Sequence, residues 1–587
     1  MDKKRVIEIL DEIGTLLELT GENPFRSRAY HNGAQIIGGL TDDLDELVQK
    51  GTLTSIKGIG QGLADTITEL FQTGKAKMHE ELRAKVPSGV LEMLRIQGLG
   101  PRKIKMLYEK LNIKSIAALR EACEKQQLRL LNGFGKKTEE NILKNISLLE
   151  RSSDKHLYPQ ALESAEKIIA VLKRIKGVKQ CNYAGSLRRR KEIIGDIDIL
   201  ISASDRARTE IMSVFTKQVD VESIVATGDT KATVILKNGI QCDLRIVSDK
   251  EYPFALNYFT GSKEHNVEMR SLARKHGLSL NEYGFTQIEE SKIGKAGKQI
   301  PSCTTEEEIY KTLGLHYIPP ELRENTGEIE FAKKHSIPKL IELSDIRGTF
   351  HCHTTGSDGL NSLEQMIAAA QNLGWQYIGF ADHSQAAAYA GGMTPAKARA
   401  QMKRIDCMNE QSKNFRIFKG VECDILSDGS MDYNDRLLSE FDYVVASIHN
   451  KFKMTQDEAT KRIIKALKNK YVTMLGHPTG RLLLQREGYP VNMLEIIAAA
   501  ADYGKAIEIN AHPMRLDLDW RFLKHAKEKG VPIFINPDAH NVNGLEDVQY
   551  GVGIARKGWL EAKDVVNTWT IKQVFNYLKI KNMEREQ

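Results

Sequence analysis

Two stretches of the chain carry residue types at spacings suited to metal-assisted phosphoryl chemistry. In "GDIDILI", Asp196 and Asp198 lie two apart in an otherwise apolar run, so a strand would turn both carboxylates to one face and Ile197 and Ile199 to the other. Two carboxylates on one face repel unless a cation sits between them. A third is available from "IQCDLRIV", where Asp243 and Arg245 share a face. Three such groups suit a catalytic site for two Mg2+ or Mn2+ ions and in-line displacement at phosphorus, one ion activating the attacking hydroxyl and the other steadying a leaving pyrophosphate. The preceding turn, Gly185 and Ser186 with Arg188 and Arg189, could hold a triphosphate through backbone N–H groups and guanidinium forks. A lone DxD is more often a solvated edge strand, so the distant Asp243 strand and the Gly-Ser turn matter.

The second stretch, "FHCHTTGSDG", sets His351, His353 and Asp358 in a loop after an apolar run. Exposed histidines near a strand end commonly do nothing. The same region, however, ends "YIGFADH" with His383, "IFKGVE" with Glu422, "YVVASIH" with His449, "YVTMLGH" with His477 and "VPIFINPDAH" with Asp538 and His540. These nine side chains exceed what one ion can use, and imidazole mixed with carboxylate suits Mn2+, Zn2+ or Fe2+, two or three ions together. His512 in "EINAH" also falls at a strand end and fits a phosphate contact or a surface residue equally well.

These ligands need elements that bring them to one place. Between about 346 and 540, seven short apolar runs alternate with helical stretches, which predicts a distorted seven-stranded β/α barrel whose strand ends converge on one mouth. Residues from about 157 alternate strands and helices, and the first 150 are helical. Thus the fold class is multidomain, α+β followed by α/β. At 587 residues the chain exceeds one core. We expect domains at 1–85, 86–150, 151–255 and 256–320, a polar linker at 321–340, and the barrel at 341–575. The amphipathic start is no signal peptide and no apolar run could span a bilayer, so a cytoplasmic protein without a membrane partner is expected. Seven cysteines form no CxxC pair, which argues against disulfides and thiolate zinc sites. The net charge is +7, nearly all of it before residue 340, and permits a nucleic-acid partner without requiring one.

One pattern recurs in the helical part: "IKGIG" (Gly58, Gly60), "IQGLG" (Gly98, Gly100) and "LNGFG" (Gly133, Gly135), each followed by a helix. A single copy reads as an ordinary glycine turn. Three copies, with Arg102, Lys103, Lys136 and Lys137 behind two of them, resemble helix-hairpin-helix units that grip a DNA backbone. The GS turn, DxD and distant Asp match the nucleotidyltransferase pattern, with a palm at 151–255 and a thumb at 256–320. "YFTGSKEHNVEMRSLARKHGLSLNEYGF" (258–285) closely resembles the nucleotide-contacting segment of family X DNA polymerases, the group that contains DNA polymerase beta. The resemblance implies that Tyr258, Phe259 and Gly261 lie beside the incoming sugar, Asn266 beside the base and Arg270 toward the template. It also implies that Arg26 and Tyr30 in "NPFRSRAY" meet a 5'-phosphate. Family members that remove a 5'-deoxyribose phosphate use a lysine where this chain has Thr66, so that lyase activity is not carried over.

The nine histidine-region ligands look like the PHP (polymerase and histidinol phosphatase) pattern, with every position filled. There, bridging metals would turn water into a hydroxide aimed at a phosphoester. The whole order resembles the two-part family X polymerases of bacteria and archaea. It implies a monomer acting on gapped or nicked DNA with deoxynucleoside triphosphates, filling short gaps in base excision repair. A PHP 3'-to-5' exonuclease, and an abasic-site endonuclease, would accompany it. Two alternatives stay open: a polymerase fused to a phosphatase of small phosphoesters, and a non-catalytic scaffold for DNA ends.

Overall fold

The computed structural model describes residues 3–40, 44–96, 98–151, 154–288, 300–412 and 414–586. Gln97, inside the second glycine turn, lies outside them. In the helical part, Val6, Ile9, Leu10, Ile13, Leu16 and Leu17 form one buried stripe on α1 (Lys3–Thr20), which packs against α2 (Pro24–Gly39). The same apolar cluster runs on through α3 (Gln61–Thr73), α4 (Pro101–Leu111) and α5 (Lys136–Arg151). Ile59, Leu99 and Phe134, the residues between the paired glycines, are buried in it and fix each turn to the core.

The next part is a five-stranded sheet of β1 (Val178–Tyr183), β2 (Asp196–Ala203), β3 (Val221–Thr227), β4 (Lys231–Leu236) and β5 (Gln241–Val247), in the order β1-β2-β5-β4-β3. Only β2 and β5 pair in parallel, with Asp198 level with Asp243. Ile197, Ile199 and Ile201 face the opposite way, into a core shared with α6 (Tyr158–Leu172). The short α7 (Gly185–Arg188) follows β1, and α8 (Tyr252–Thr260) and α9 (Lys263–Lys275) follow the sheet.

Seven parallel strands make the barrel: β6 (Gly348–Thr349), β7 (Tyr377–Phe380), β8 (Arg416–Asp424), β9 (Tyr443–Ser447), β10 (Met474–Leu475), β11 (Ala506–Asn510) and β12 (Ile533–Asn536). Each pairs with the next in chain order, as the alternation of runs predicts. The barrel nearly closes: Phe350 N donates to Asn536 Oδ1 at 3.0 Å, and His353 N donates to Ala539 O at 2.8 Å. Phe350 fills its floor, with the rings of Tyr377, Phe418, Tyr443 and Phe534 around it. Outside the strands run α10 (Pro395–Gln411) and α11 (Val548–Lys557).

Residues 321–340, expected as a polar linker, are instead packed. Arg323 is fully buried and donates to Glu306 Oε1 at 2.7 Å, while Glu328 Oε1 meets His265 Nδ1 at 2.8 Å. Ile329, Ala332 and Leu340 join an apolar cluster with Phe254 and Tyr310. The segment's buried charges, on Glu321, Arg323, Glu324 and Glu328, are paired with residues elsewhere in the chain, which composition alone does not reveal. All seven cysteines are free thiols, and Cys407 on α10 is the exposed one. Among the described residues no helix is long and apolar enough to cross a membrane.

Candidate functional site

Strand geometry assembles the first centre. Asp196 and Asp198 on β2 and Asp243 on β5 each bring a carboxylate oxygen within 4.8 Å of the others, with Asp196 exposed and the other two half-buried. Gly185 has φ +61°, and a Cβ there would collide with Asp198 Oδ2, so only glycine lets the turn sit against the carboxylates. Asp243 is oriented by Thr233 Oγ1 and by Gln241 Nε2 (2.9 Å), with Lys231 Nζ at 3.8 Å. Burial, and then the charges of Asp196 and Asp243, push the Asp198 carboxyl up to about 7. A carboxyl raised by the charges of its neighbours in this way fits a divalent cation beside it.

Around this centre, Ser186 is half-buried in α7, and Arg189 approaches the Tyr258–Gly261 segment, donating Nη1 to Thr260 O. Gly261 lies close enough that an added Cβ would stand 3.1 Å from Arg189 Nη1. Phe259 stacks under Arg245, whose guanidinium is 4.6 Å from the ring centroid, and Tyr258 meets Phe259 edge-on. Asn266 donates Nδ2 to Tyr258 O at 2.7 Å, and Arg270 is exposed beside it. Arg188 has both terminal nitrogens on Glu306 and Thr260, so it braces the turn.

The first glycines of the three recurring turns share one left-handed conformation, with φ +97°, +80° and +86° at Gly58, Gly98 and Gly133. Gly60 and Gly100 cap α3 and α4, and no atom of the protein would meet a Cβ at Gly60, Gly100 or Gly135. The second glycine of each turn thus leaves room beside the helix start, where N–H groups lack a partner within the helix. Arg26 is exposed, but Tyr30 turns inward, its hydroxyl 3.1 Å from Thr66 Oγ1.

The barrel's strand ends gather all nine expected ligands in one mouth. Donor atoms within 4.8 Å of one another form three overlapping groups: His353, Asp358, His383 and His540; His351, His353 and Asp538; His383, Glu422 and His449. His353 and His383 each belong to two groups. His477 joins through Nε2, 2.9 Å from Glu422 Oε1. Buried His351 Nε2, His353 Nδ1, His383 Nδ1, His477 Nδ1 and Glu422 Oε2 have no hydrogen-bond partner. Unpartnered buried donors and acceptors are costly, and their convergence fits metal ions. Burial, with His540 and His383 adding to it, holds His353 down to about 4.

A second layer, which the sequence reading missed, orients these side chains. Glu508 Oε1 receives His351 Nδ1 at 2.7 Å, and its Oε2 receives the His477 backbone N–H at 2.8 Å. Asp424 Oδ1 holds His449 Nδ1 at 2.7 Å; burial opposes the charge on His449, but Glu422 and Asp424 carry it up to about 10. Asp382 accepts from Thr354 N, Thr354 Oγ1 and Ser357 Oγ, fixing the loop that bears Asp358. Asn510 Nδ2 reaches Asp538 Oδ2 at 2.9 Å. The signal was available, since an acid and an amide two apart in "AIEIN" face one side of a short buried strand. His512 uses Nδ1 to accept from Met514 N at 3.2 Å, a turn-stabilising contact.

Models of known families match along the chain: a helix-hairpin-helix domain over 1–76, a SAM-like helix-hairpin-helix tandem over 90–146, the DNA polymerase beta thumb over 255–324 and the PHP domain over 349–512. The DNA polymerase/3'-5' exonuclease PolX of Bacillus subtilis (strain 168) is 40% identical over 581 residues, covering 99% of this chain and 100% of that protein. This chain belongs to the PolX family. Two further relatives match shorter stretches. DNA polymerase lambda of Rattus norvegicus is 27% identical over 295 residues, 46% of this chain and 48% of that protein. A probable phosphatase of Thermoanaerobacter sp. (strain X514) is 28% identical over 243 residues, 39% of this chain and 94% of that protein.

Proposed function

We propose that two separate centres divide the work of this DNA polymerase/3'-5' exonuclease: the palm carboxylates extend a primer and the barrel mouth trims it. The observation that carries the division is that two clusters of metal-type ligands stand on different sheets of one PolX-family chain. Both halves are metal-dependent, with Mg2+ or Mn2+ proposed for the palm and two or three Mn2+, Zn2+ or Fe2+ for the barrel. When bound, such ions neutralise charge that develops on phosphoryl oxygens and make an oxygen nucleophile available at neutral pH.

The chain's own residues supply placement. Asp196, Asp198 and Asp243 hold cations at the edge where β2 and β5 run parallel. Arg189 and the N–H groups of Gly185 and Ser186 receive the triphosphate, and Tyr258, Phe259 and Gly261 flank the sugar. Asn266 must release Tyr258 O to reach the base, and Arg270 faces the template. In the barrel, His351, His353, Asp358, His383, Glu422, His449, His477, Asp538 and His540 hold the ions. The three glycine turns, with Arg26, grip the backbone of gapped or nicked duplex, a role that suits base excision repair. Tyr30 and Thr66 offer each other neutral hydroxyls and no amine, so the position where the family's lyase lysine is expected holds no Schiff-base nucleophile, and that activity is not proposed.

An end-labelled primer on a one-nucleotide gap, followed with and without nucleotides in Mn2+, tests the division. Asp198→Ala should shorten the primer without extending it, and His353→Ala should extend it without shortening. Degradation by His353→Ala at the wild-type rate would remove the barrel as the nuclease and favour a small-phosphoester substrate for it.

A further inference from the structure

Arg189, proposed above to receive the triphosphate, is not held by the palm alone. Its Nε donates to Glu324 Oε1 at 3.0 Å. That oxygen also accepts from Lys557 Nζ at 2.6 Å, and Lys557 is the last residue of α11, in the barrel part of the chain. Lys557 Nζ further donates to the backbone oxygen of Arg189 at 3.1 Å. One ammonium thus touches both the carboxylate that restrains the arginine and the arginine's own main chain. Its side chain is 0% exposed, and it sits 4.6 Å over the ring centroid of Trp520. Lys191 Nζ, at 3.5 Å from Glu324 Oε2, is the remaining cation on this carboxylate.

A buried lysine is an expensive way merely to dock two parts of a chain, because apolar residues of similar volume usually do as well. The neighbouring position provides a comparison. Arg556 Nε donates to Glu321 Oε1 at 2.7 Å, and Arg190 Nε lies 3.5 Å from the same oxygen. This second rung docks the same helix on the same segment, but its hydrogen bond and ion pair go to Glu321 and not to Arg189 or Glu324. Burial pulls the Lys557 ammonium down to about 8 against the pull of Glu324, so its charge is maintained by that carboxylate.

We propose that Lys557 is a positioning residue for nucleotide binding: by sharing Glu324 it limits that carboxylate's hold on Arg189, and so lets the barrel set the affinity of the polymerase centre for triphosphates. The inference rests on the assignment of Arg189 to the triphosphate. Without Lys557, Glu324 keeps Arg189 as its main partner and competes with the incoming phosphates.

The test uses the full-length chain in single-nucleotide gap filling, measuring KM for the deoxynucleoside triphosphate and kcat separately, with exonuclease rate as a second readout. Lys557→Met should raise KM about tenfold, within the usual range of coupling between sites. Its kcat and exonuclease rate should stay within about twofold of wild type, the scatter expected of uncoupled positions. Arg556→Met should leave KM unchanged, and adding Glu324→Gln to Lys557→Met should restore KM, because the competing carboxylate is then gone. An unchanged KM in Lys557→Met, an equal rise in Arg556→Met, or no rescue by Glu324→Gln overturns the proposal. If Lys557→Met loses both activities, the lysine is a requirement of the fold and the proposal also falls. Arg189→Met separates the premise from the relay. A normal KM there removes the triphosphate role and the proposal with it, whereas a raised KM beside a normal KM in Lys557→Met removes only the relay.

Discussion

In the palm, three carboxylates stand on two parallel strands with one of them exposed, while in the barrel nine side chains meet at buried strand ends behind a second layer of acids and amides. The palm offers few protein ligands and no imidazole. A site of that kind is completed by the phosphate oxygens of its substrate, as Mg2+ sites commonly are. The barrel offers more donors than one ion needs, and Glu508 and Asp424 orient two of its histidines. The contrast teaches that one chain can hold a centre assembled by its substrate and another assembled by its own fold, and the two should respond differently to the same perturbation.

The sharpest way to break this comparison is Glu422→Ala. Glu422 lies within 3.4 Å of His351, His383, His449 and His477, so its loss should cut exonuclease activity by roughly a thousandfold, the top of the range for removing one electrostatic element. Gap filling should hardly change, and an equal loss in both assays would mean the centres are not independent. Glu508→Gln probes the second layer, and a drop of about ten- to a hundredfold in exonuclease activity or metal affinity is expected there. Titration with metal before and after the change measures which of the two moves.

A pH series sharpens the contrast further. The Asp198 carboxyl, pushed up to about 7, must lose its proton for a cation to bind. The Mg2+ concentration for half-maximal gap filling should therefore rise about tenfold from pH 8 to pH 6, as proton competition at one group requires. A barrel loaded with metal beforehand should show no such shift. The smallest effect concerns stability without metal. Because the folded-state carboxyl of Asp198 is raised above its unfolded value, its contribution is present at low pH and is lost as pH rises toward about 7. Asp198→Asn should then raise the melting temperature of the metal-free chain at pH 8 by about 2 °C, the gain shrinking toward pH 5.

Much of both centres was legible in the sequence because strand geometry is simple. Period-two spacing puts Asp196 and Asp198 on one face, and the end of an apolar run marks where His383, Glu422, His449 and His477 emerge. The seven barrel strands follow from the same runs. What escaped were charges whose partners lie far along the chain. Nothing local says that Arg188 is spent on Glu306, or that Glu321, Arg323 and Glu328 are buried in pairs, so residues 321–340 read as solvated linker. Tyr30 likewise faces inward because Thr66, 36 positions away, accepts its company. Glu508 and Asp424 each have a period-two partner on their own strand, Asn510 and Glu422, but the histidines they orient, His351 and His449, lie elsewhere in the chain, so their role is not local.

Cys407 supplies a use that the chemistry above does not suggest. With the other six thiols buried, a maleimide dye would attach at that single position on α10, on the flank of the barrel. A second dye on a primer end would then report, by energy transfer in single molecules, whether the strand sits at the palm or has moved to the barrel, without any engineered cysteine.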